Sequence, residues 1–182
     1  MFSVDAHKLL GARWCPSPNF NNRPDQGIDA LVVHNISLPP NQFGGNNIES
    51  FFCNELDCST HPYFEQINGL KVSAHLLIKR DGQVVQFVAF NQRAWHAGTS
   101  QLDGKDNCND YSIGIELEGT DDIDYEDIQY TVLIEVTRVL QRSYPAISAK
   151  RVVGHNEIAP GRKTDPGPAF NWQYYRERIQ VL

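Results

Sequence analysis

Asp29-Ala30-Leu31-Val32-Val33-His34-Asn35 is a short apolar run that ends in a histidine and an amide side chain. Its length and its β-branched residues predict a buried strand of a sheet. Side chains at the ends of neighbouring strands converge on one rim of a sheet. The run therefore predicts both a central strand and a position for His34 at a site on that rim.

The segments around this strand predict a mixed sheet with helices beside it. Strands are predicted over 72–78, 83–88, 112–118 and 152–153, and Asp81-Gly82 is the turn of a hairpin. Helices are predicted over about 46–52, 125–141 and 169–179, and the first 28 or so residues, rich in proline, are expected to be irregular. The order predicts one α/β domain over residues 1–182, with a central mixed β-sheet flanked by helices.

Composition limits the class of protein. The chain has 182 residues and a net charge of −6, which does not fit the basic surface of a nucleic-acid-binding protein. No apolar run approaches the roughly 20 residues of a membrane-spanning helix, and the first residues do not form a signal peptide. We therefore expect a cytoplasmic protein that does not contact nucleic acid or membrane, with its four cysteines reduced.

The run from Gly154 to Gly167, GHNEIAPGRKTDPG, places an imidazole, an ammonium and a carboxylate on a segment rich in glycine and proline. His155 and Asp165 together with His34 would form a three-ligand zinc set that leaves one position open for water. The alternative is that both histidines are ordinary core residues with satisfied hydrogen bonds.

Two further residues are candidates for catalysis. Glu116 lies in the 112–118 strand and points away from the apolar face, so it is the best general base. Glu118 lies on the same face and is expected to be an exposed residue without a role. Lys163 is either a surface lysine or an ammonium directed at a developing oxyanion.

Several pieces of the chain carry a family resemblance. They are Val33 to Pro40 (VHNISLPP), Val72 to Ile78 (VSAHLLI), Ala94 to Gly98 (AWHAG), Cys108 to Gly119 (CNDYSIGIELEG) and residues 154–170. In order and spacing they resemble the AmpD branch of the N-acetylmuramoyl-L-alanine amidases, which are related to T7 lysozyme and to the peptidoglycan recognition proteins. The matching motifs lie between about residues 29 and 170.

The resemblance implies an activity and a set of roles. It implies one zinc ion per chain on His34, His155 and Asp165, with Glu116 and Lys163 as catalytic groups. It further implies substrate contacts at Asn35, Lys71 and Trp95. Tyr63 is implied as a supporting residue. The reaction implied is hydrolysis of the amide between 1,6-anhydro-N-acetylmuramic acid and L-alanine in small anhydromuropeptides.

The resemblance also implies a cellular setting and leaves one alternative. Such enzymes act in the cytoplasm during peptidoglycan recycling, and their loss perturbs β-lactamase induction in some bacteria. We expect a monomer whose residues 37–62 form a mobile loop. Lys71, Lys105 and Asn107 stand where relatives often carry arginine, which predicts weaker or different binding of substrate carboxylates. The alternative is a peptidoglycan-binding module with this fold but no catalysis.

Overall fold

A six-stranded mixed sheet runs through the centre of the computed structural model, which describes residues 1–25 and 27–180. The strands are β1 (Ser3–Asp5), β2 (Lys8–Leu10), β3 (Arg13–Trp14), β4 (Phe20–Asn22), β5 (Ala30–Ile36), β6 (Leu76–Ile78), β7 (Val84–Gln86), β8 (Gln92–Ala94), β9 (Gln101–Leu102), β10 (Lys105–Asp106), β11 (Ser112–Glu118) and β12 (Val152–Gly154). The α-helices are α1 (Asn47–Phe52), α2 (Pro62–Gln66), α3 (Asp127–Ser143), α4 (His155–Ile158) and α5 (Trp172–Ile179).

The strand order of the main sheet is β12-β5-β11-β6-β7-β3. The first four strands in this order are parallel, β7 is antiparallel to β6, and β3 runs parallel to β7. The predicted α/β fold with a central mixed sheet is therefore confirmed. Both β5 and β11 lie inside the sheet, and the residues of both strands are largely buried.

The two faces of the sheet carry different residues: one face packs against α3 and α5, and the other carries predicted site residues. On one face Val33 and Ile115 pack in a core cluster with Leu133 and Val136 of α3 and Tyr175 of α5. Because side chains alternate along a strand, the neighbours of these apolar residues point to the opposite face. His34 and Glu116 are register partners on adjacent parallel strands, so their side chains leave the sheet on that second face.

Some elements differ from the sequence prediction. The first 28 residues are not irregular throughout, because β3 forms an edge of the main sheet and β4 pairs with β8. The 72–78 strand is reduced to β6, because the backbone N–H of Ser73 donates to the carbonyl of Trp95 outside the sheet. The hairpin at Asp81-Gly82 is confirmed by the antiparallel pairing of β6 and β7.

Residues 37–62 contain α1 and lie beside the second face of the sheet. Phe52 of α1 packs in a core cluster with Leu77 and Phe87, so this part of the segment is held by apolar contacts. Movement of the 37–62 segment stays a prediction. The four cysteines are free thiols, and within the described ranges no helix has the length and hydropathy to cross a membrane.

Candidate active site

The carboxyl ends of the parallel strands meet at a cavity of about 380 Å³. His34 stands near the end of β5, Glu116 near the end of β11, and His155 directly after β12. Asn35 also lies in β5, Tyr63 lies in α2, and Trp95, Lys163 and Asp165 lie in loops. Together the predicted site residues that line the cavity are His34, Asn35, Tyr63, Trp95, Glu116, His155, Lys163 and Asp165.

Three ligand-type atoms converge at the base of this cavity. The Nδ1 atoms of His34 and His155 are 2.9 Å apart, and they lie 3.1 and 3.0 Å from Oδ2 of Asp165. Ligand atoms bound about 2.0–2.2 Å from a tetrahedral zinc ion lie roughly 3.3–3.6 Å from one another. The distances between the three ligand-type atoms would therefore increase by about a few tenths of an ångström around such an ion.

The chemistry of these donor atoms fits a metal ion. The imidazole of His155 contacts the carbonyl of Ala97 through Nε2 at 3.1 Å, and a carbonyl only accepts hydrogen bonds. In the neutral ring Nδ1 of His155 therefore presents a lone pair to the centre, as does the carboxylate of Asp165. Burial lowers the pKa of His34 to about 4.

Glu116 is a buried carboxyl group beside this centre. Its side chain is 8% exposed, and its Oε2 atom has no hydrogen-bond partner within the described residues. Burial, and then the negative charge of Asp165, raise the pKa of Glu116 well above its usual value, while Lys163 acts in the opposite direction. A carboxyl group with a free oxygen and a raised pKa is suited to exchange a proton with a reactant.

Lys163 lies on the rim of the cavity, exposed to solvent. Its backbone is fixed, because its N–H donates to the carbonyl of Ala159 at 3.1 Å. The neighbouring Arg162 donates to the carbonyls of Ala97 and Thr99 at 2.7 and 2.6 Å. The loop that carries Lys163 is thus attached to the segment at 97–99, and Lys163 itself is part of the cavity wall.

The proposed substrate contacts differ in how they are placed. The indole of Trp95 is held by a hydrogen bond from Nε1 to Oδ1 of Asn21 at 2.7 Å. The amide nitrogen of Asn35 donates to Asp121 and to the carbonyl of Pro166, at 2.8 and 3.2 Å. Tyr63 extends from α2 onto the wall of the cavity.

Three positions lie away from the main cavity. Lys71 lines a smaller adjacent groove of about 150 Å³ with Leu70. Lys105 places its ammonium 4.1 Å from the centroid of the Tyr111 ring, and neither it nor Asn107 is part of the cavity wall. That Lys105 and Asn107, standing where relatives often carry arginine, alter substrate binding stays a prediction, because neither residue lines the cavity.

Glu118 is not the exposed residue that the strand pattern predicted. It is 2% exposed, and its two carboxylate oxygens accept hydrogen bonds from the backbone N–H groups of Gly44 and Arg80 at 2.6 and 3.0 Å. The expectation failed because alternation along a strand gives the face of a residue and not its depth. A segment far away in sequence covers this position.

Comparison with known proteins agrees with the geometry. Residues 23–168 match the family described as N-acetylmuramoyl-L-alanine amidase. The 1,6-anhydro-N-acetylmuramyl-L-alanine amidase AmpD of Escherichia coli K12 is 57% identical over 169 residues, covering 92% of each chain. The chain belongs to the AmpD family of N-acetylmuramoyl-L-alanine amidases. It is an amide hydrolase, and the alternative of a non-catalytic binding module is set aside.

Solved structures of N-acetylmuramyl-L-alanine amidases extend the comparison to the fold. The crystal structure of a selenomethionine AmpD derivative superposes with a TM-score of 0.94 at 53% identity, covering 97% of this chain and 99% of that one. The amidase AmiD of E. coli, in complex with anhydro-N-acetylmuramic acid-L-Ala-D-γ-Glu-L-Lys, has a TM-score of 0.61 at 27% identity. That match covers 99% of this chain and 66% of AmiD.

The residues around the ligand atoms of this AmpD-family site were not predicted from the sequence. His96 contacts His34, the carbonyl of Ala97 contacts His155, and Asn109 contacts the backbone of both His96 and Ala97. The AWHAG motif that contains His96 contributes to the family resemblance, but it assigns no role to His96. Every residue type has a backbone carbonyl, so no sequence pattern could identify the contact that Ala97 makes.

Proposed function

We propose that this protein is a zinc-dependent 1,6-anhydro-N-acetylmuramyl-L-alanine amidase that acts on cytoplasmic anhydromuropeptides during peptidoglycan recycling. The observation that carries the proposal is the convergence of two imidazole nitrogens and one carboxylate oxygen within 3.1 Å of one another. They lie at the base of the same cavity as Glu116 and Lys163. Relatives that are named for this reaction, at 49–57% identity, support the choice of substrate.

In this proposal His34, His155 and Asp165 hold one zinc ion per chain. When bound, zinc supplies a Lewis acid for the scissile carbonyl and lowers the pKa of water in the site. The carboxylate of Glu116 removes a proton from the attacking water and returns it to the amine of L-alanine as that group leaves. The ammonium of Lys163 donates a hydrogen bond to the oxyanion that develops on the carbonyl.

The cavity wall offers contacts for both parts of the substrate. Trp95 is held by Asn21 and by Ser73, so its ring is a fixed apolar surface for the anhydro sugar. The oxygen of Asn35 and the hydroxyl of Tyr63 are polar groups for the amide side of the molecule. The bicyclic sugar presents its hydroxyl groups in other directions than the reducing sugar does. A wall shaped for the bicyclic sugar leaves polar groups unpaired when the reducing sugar binds, and in this way it discriminates between the two sugars.

The test is a comparison of three substrates by mass spectrometry. An anhydromuropeptide, the matching reducing muropeptide and intact sacculi are incubated with the protein, with a chelator, and with the chelator followed by zinc. We expect release of the stem peptide from the anhydromuropeptide at a higher kcat/KM than from the reducing form. We also expect chelation to stop the reaction and zinc to restore it.

Two results would contradict the proposal. Equal kcat/KM values for the anhydro and reducing substrates would remove the recycling role and leave a general murein amidase. Full activity after exhaustive chelation would remove the zinc-dependent mechanism.

A further inference from the structure

We propose that His96 is a positioning residue which, with the carbonyl of its neighbour Ala97, sets the metal-binding tautomer of both imidazole ligands. The inference rests on the metal site of the proposed function. It concerns the outer nitrogen of each ligand ring, the one that faces away from the converging atoms. A neutral imidazole carries one N–H and one lone pair, so the partner of the outer nitrogen decides what the inner nitrogen offers to a metal.

The contact that concerns His155 is direct. Its Nε2 atom lies 3.1 Å from the carbonyl oxygen of Ala97. The oxygen can only accept, so the ring places its proton on Nε2 and keeps the lone pair of Nδ1 for the centre. The same carbonyl accepts a second hydrogen bond from Arg162 at 2.7 Å, which holds it in place.

A chain of three hydrogen bonds connects His34 through His96 and Ser112 to the carbonyl of Cys108. Because the carbonyl can only accept, it fixes which group donates in each of the three. The hydroxyl of Ser112 lies 2.5 Å from the carbonyl oxygen of Cys108, so Ser112 must donate its hydrogen there. The Ser112 oxygen is then the acceptor for Nε2–H of His96, at 3.3 Å. This leaves Nδ1 of His96 as an acceptor, 2.9 Å from Nε2 of His34.

It follows that His34 carries its proton on Nε2 and directs the lone pair of Nδ1 into the site. Both imidazole nitrogens and the Asp165 carboxylate then present lone pairs within 3.1 Å of one another. Such an arrangement repels itself without a cation and is already organised to receive one. One short segment of the chain thus prepares both rings.

Two features of the sequence keep this segment in place. Oδ1 of Asn109 accepts from the backbone N–H groups of both His96 and Ala97, at 3.1 and 2.8 Å. The His96 ring lies directly on Gly114 in the middle of β11, where the Cβ of any other residue would overlap the ring. The glycine in the strand is therefore explained by the close approach of His96 to the sheet.

The first test uses two variants of similar size. His96→Asn keeps a polar atom near the position of Nδ1, where it can still accept from His34. His96→Gln carries its polar atoms further out, near the position of Nε2. We expect His96→Gln to weaken zinc affinity by about 10–100-fold, the usual effect of losing an outer partner of a histidine ligand. We expect His96→Asn to retain most of the affinity.

Zinc affinity is measured in the absence of substrate, by competition with a chelating indicator. His75→Asn is the control, because His75 packs against His96 with ring centroids 5.8 Å apart but makes no hydrogen bond to a ligand ring. It reports the effect of a lost buried ring on affinity, which we expect to be small. Equal affinities for His96→Asn and His96→Gln would overturn the proposal.

A second test displaces His96 without changing it. Gly114→Ala introduces a methyl group where the His96 ring lies, whereas Gly27→Ala places one where, apart from the adjoining residues of the chain, no atom of the described residues lies within 4 Å. We expect Gly114→Ala to weaken zinc affinity and Gly27→Ala to leave it unchanged. Unchanged affinity in Gly114→Ala, with a shifted His96 ring seen in its structure, would also overturn the proposal.

The tautomers themselves can be observed without metal or catalysis. Long-range ¹H–¹⁵N spectra of the metal-free wild-type protein are expected to show His34 and His155 protonated at Nε2 and unprotonated at Nδ1. A proton on Nδ1 of His34 would refute the inference even if the enzyme is zinc-dependent. Conversely, if zinc proves unnecessary for hydrolysis, the proposed function fails while these spectra still decide the tautomers.

Discussion

Glu116 and Glu118 are two carboxylates on the same face of one strand, and their surroundings give them different chemistry. Both carboxylate oxygens of Glu118 accept backbone hydrogen bonds, so its charge is satisfied and its position fixed. Glu116 has an oxygen without a hydrogen-bond partner in the part of the chain that the structure describes, and burial raises its pKa. Sequence alternation places both residues on the same face of the strand, but only the structure shows how their hydrogen bonding and burial differ.

The first prediction concerns Glu116→Gln. Glutamine keeps the size of the side chain but cannot take a proton from water, so we expect kcat to fall on the order of 10²–10⁴-fold. The zinc content should remain that of the wild type, because Glu116 is not one of the three ligand-type residues. Glu177→Gln, at an exposed position of α5, is the matched control. A rate for Glu116→Gln similar to that of this control would refute the role of general base.

The second prediction concerns pH and His75. This ring is buried, its Nδ1 accepts from the N–H of Gly114, and burial followed by the charge of Arg23 lowers its pKa from 6.5 to about 3. Between these two pH values the unfolded chain binds a proton at His75 that the folded chain does not. The free energy of unfolding therefore falls as pH falls through this window, by up to about 1.4 kcal/mol per pH unit from this residue.

Urea unfolding between about pH 4 and pH 7 measures that slope. Asparagine does not titrate, so we expect His75→Asn to show a shallower loss of stability with acid than the wild type, whatever its stability at neutral pH. Identical slopes for the two proteins would show that His75 does not contribute.

At the scale of elements, the strongest apolar patterns predicted the sheet. The predicted strands at 29–35 and 112–118 correspond to β5 and β11, because a β-branched apolar run in the first and an alternation of apolar residues with polar or small ones in the second are both strand patterns. The short pairs β1–β2, β4–β8 and β9–β10 could not be predicted, because strands of two or three residues carry no periodic pattern. The α3 helix is two residues later than predicted at each end.

The third prediction concerns the connection between β11 and the segment before α1. Glu118→Gln replaces one acceptor oxygen by an NH₂ group that faces a backbone N–H donor, either of Gly44 or of Arg80. We expect a loss of about 1–3 kcal/mol in the free energy of unfolding, typical for a buried polar group left without its partner. Because Ser37 and Pro40 line the cavity, KM should rise more than kcat falls.

Hydrogen exchange at Gly44 reports on this connection locally. Its amide should exchange faster in Glu118→Gln than in the wild type, and Glu177→Gln should show the wild-type rate. Wild-type protection of Gly44 in Glu118→Gln would show that other contacts hold this segment.

At the scale of the whole molecule, the site gathers residues from distant parts of the chain. His34 is separated from His155 by 121 residues and from Asp165 by 131. The residues themselves were predicted from the motif at 154–170 and from the histidine at the end of the 29–35 run. The placement of Lys71 outside the cavity and the contacts of His96 and Ala97 could not be predicted, because they depend on the directions of side chains and carbonyls after packing.

The last prediction follows from this separation in sequence. A metal ion bound by β5, α4 and the loop at 165 joins three segments that the unfolded chain keeps apart, so binding stabilises the folded state alone. At a free zinc concentration 1,000 times the Kd, the gain is about 4 kcal/mol, which raises Tm on the order of 10 °C for a domain of this size. We expect a chelator to lower the Tm of the wild type by such an amount. His34→Ala should show almost no difference between the two conditions, and His75→Asn should keep the full difference. A wild-type Tm that is independent of the chelator would show that these three residues do not hold a metal ion.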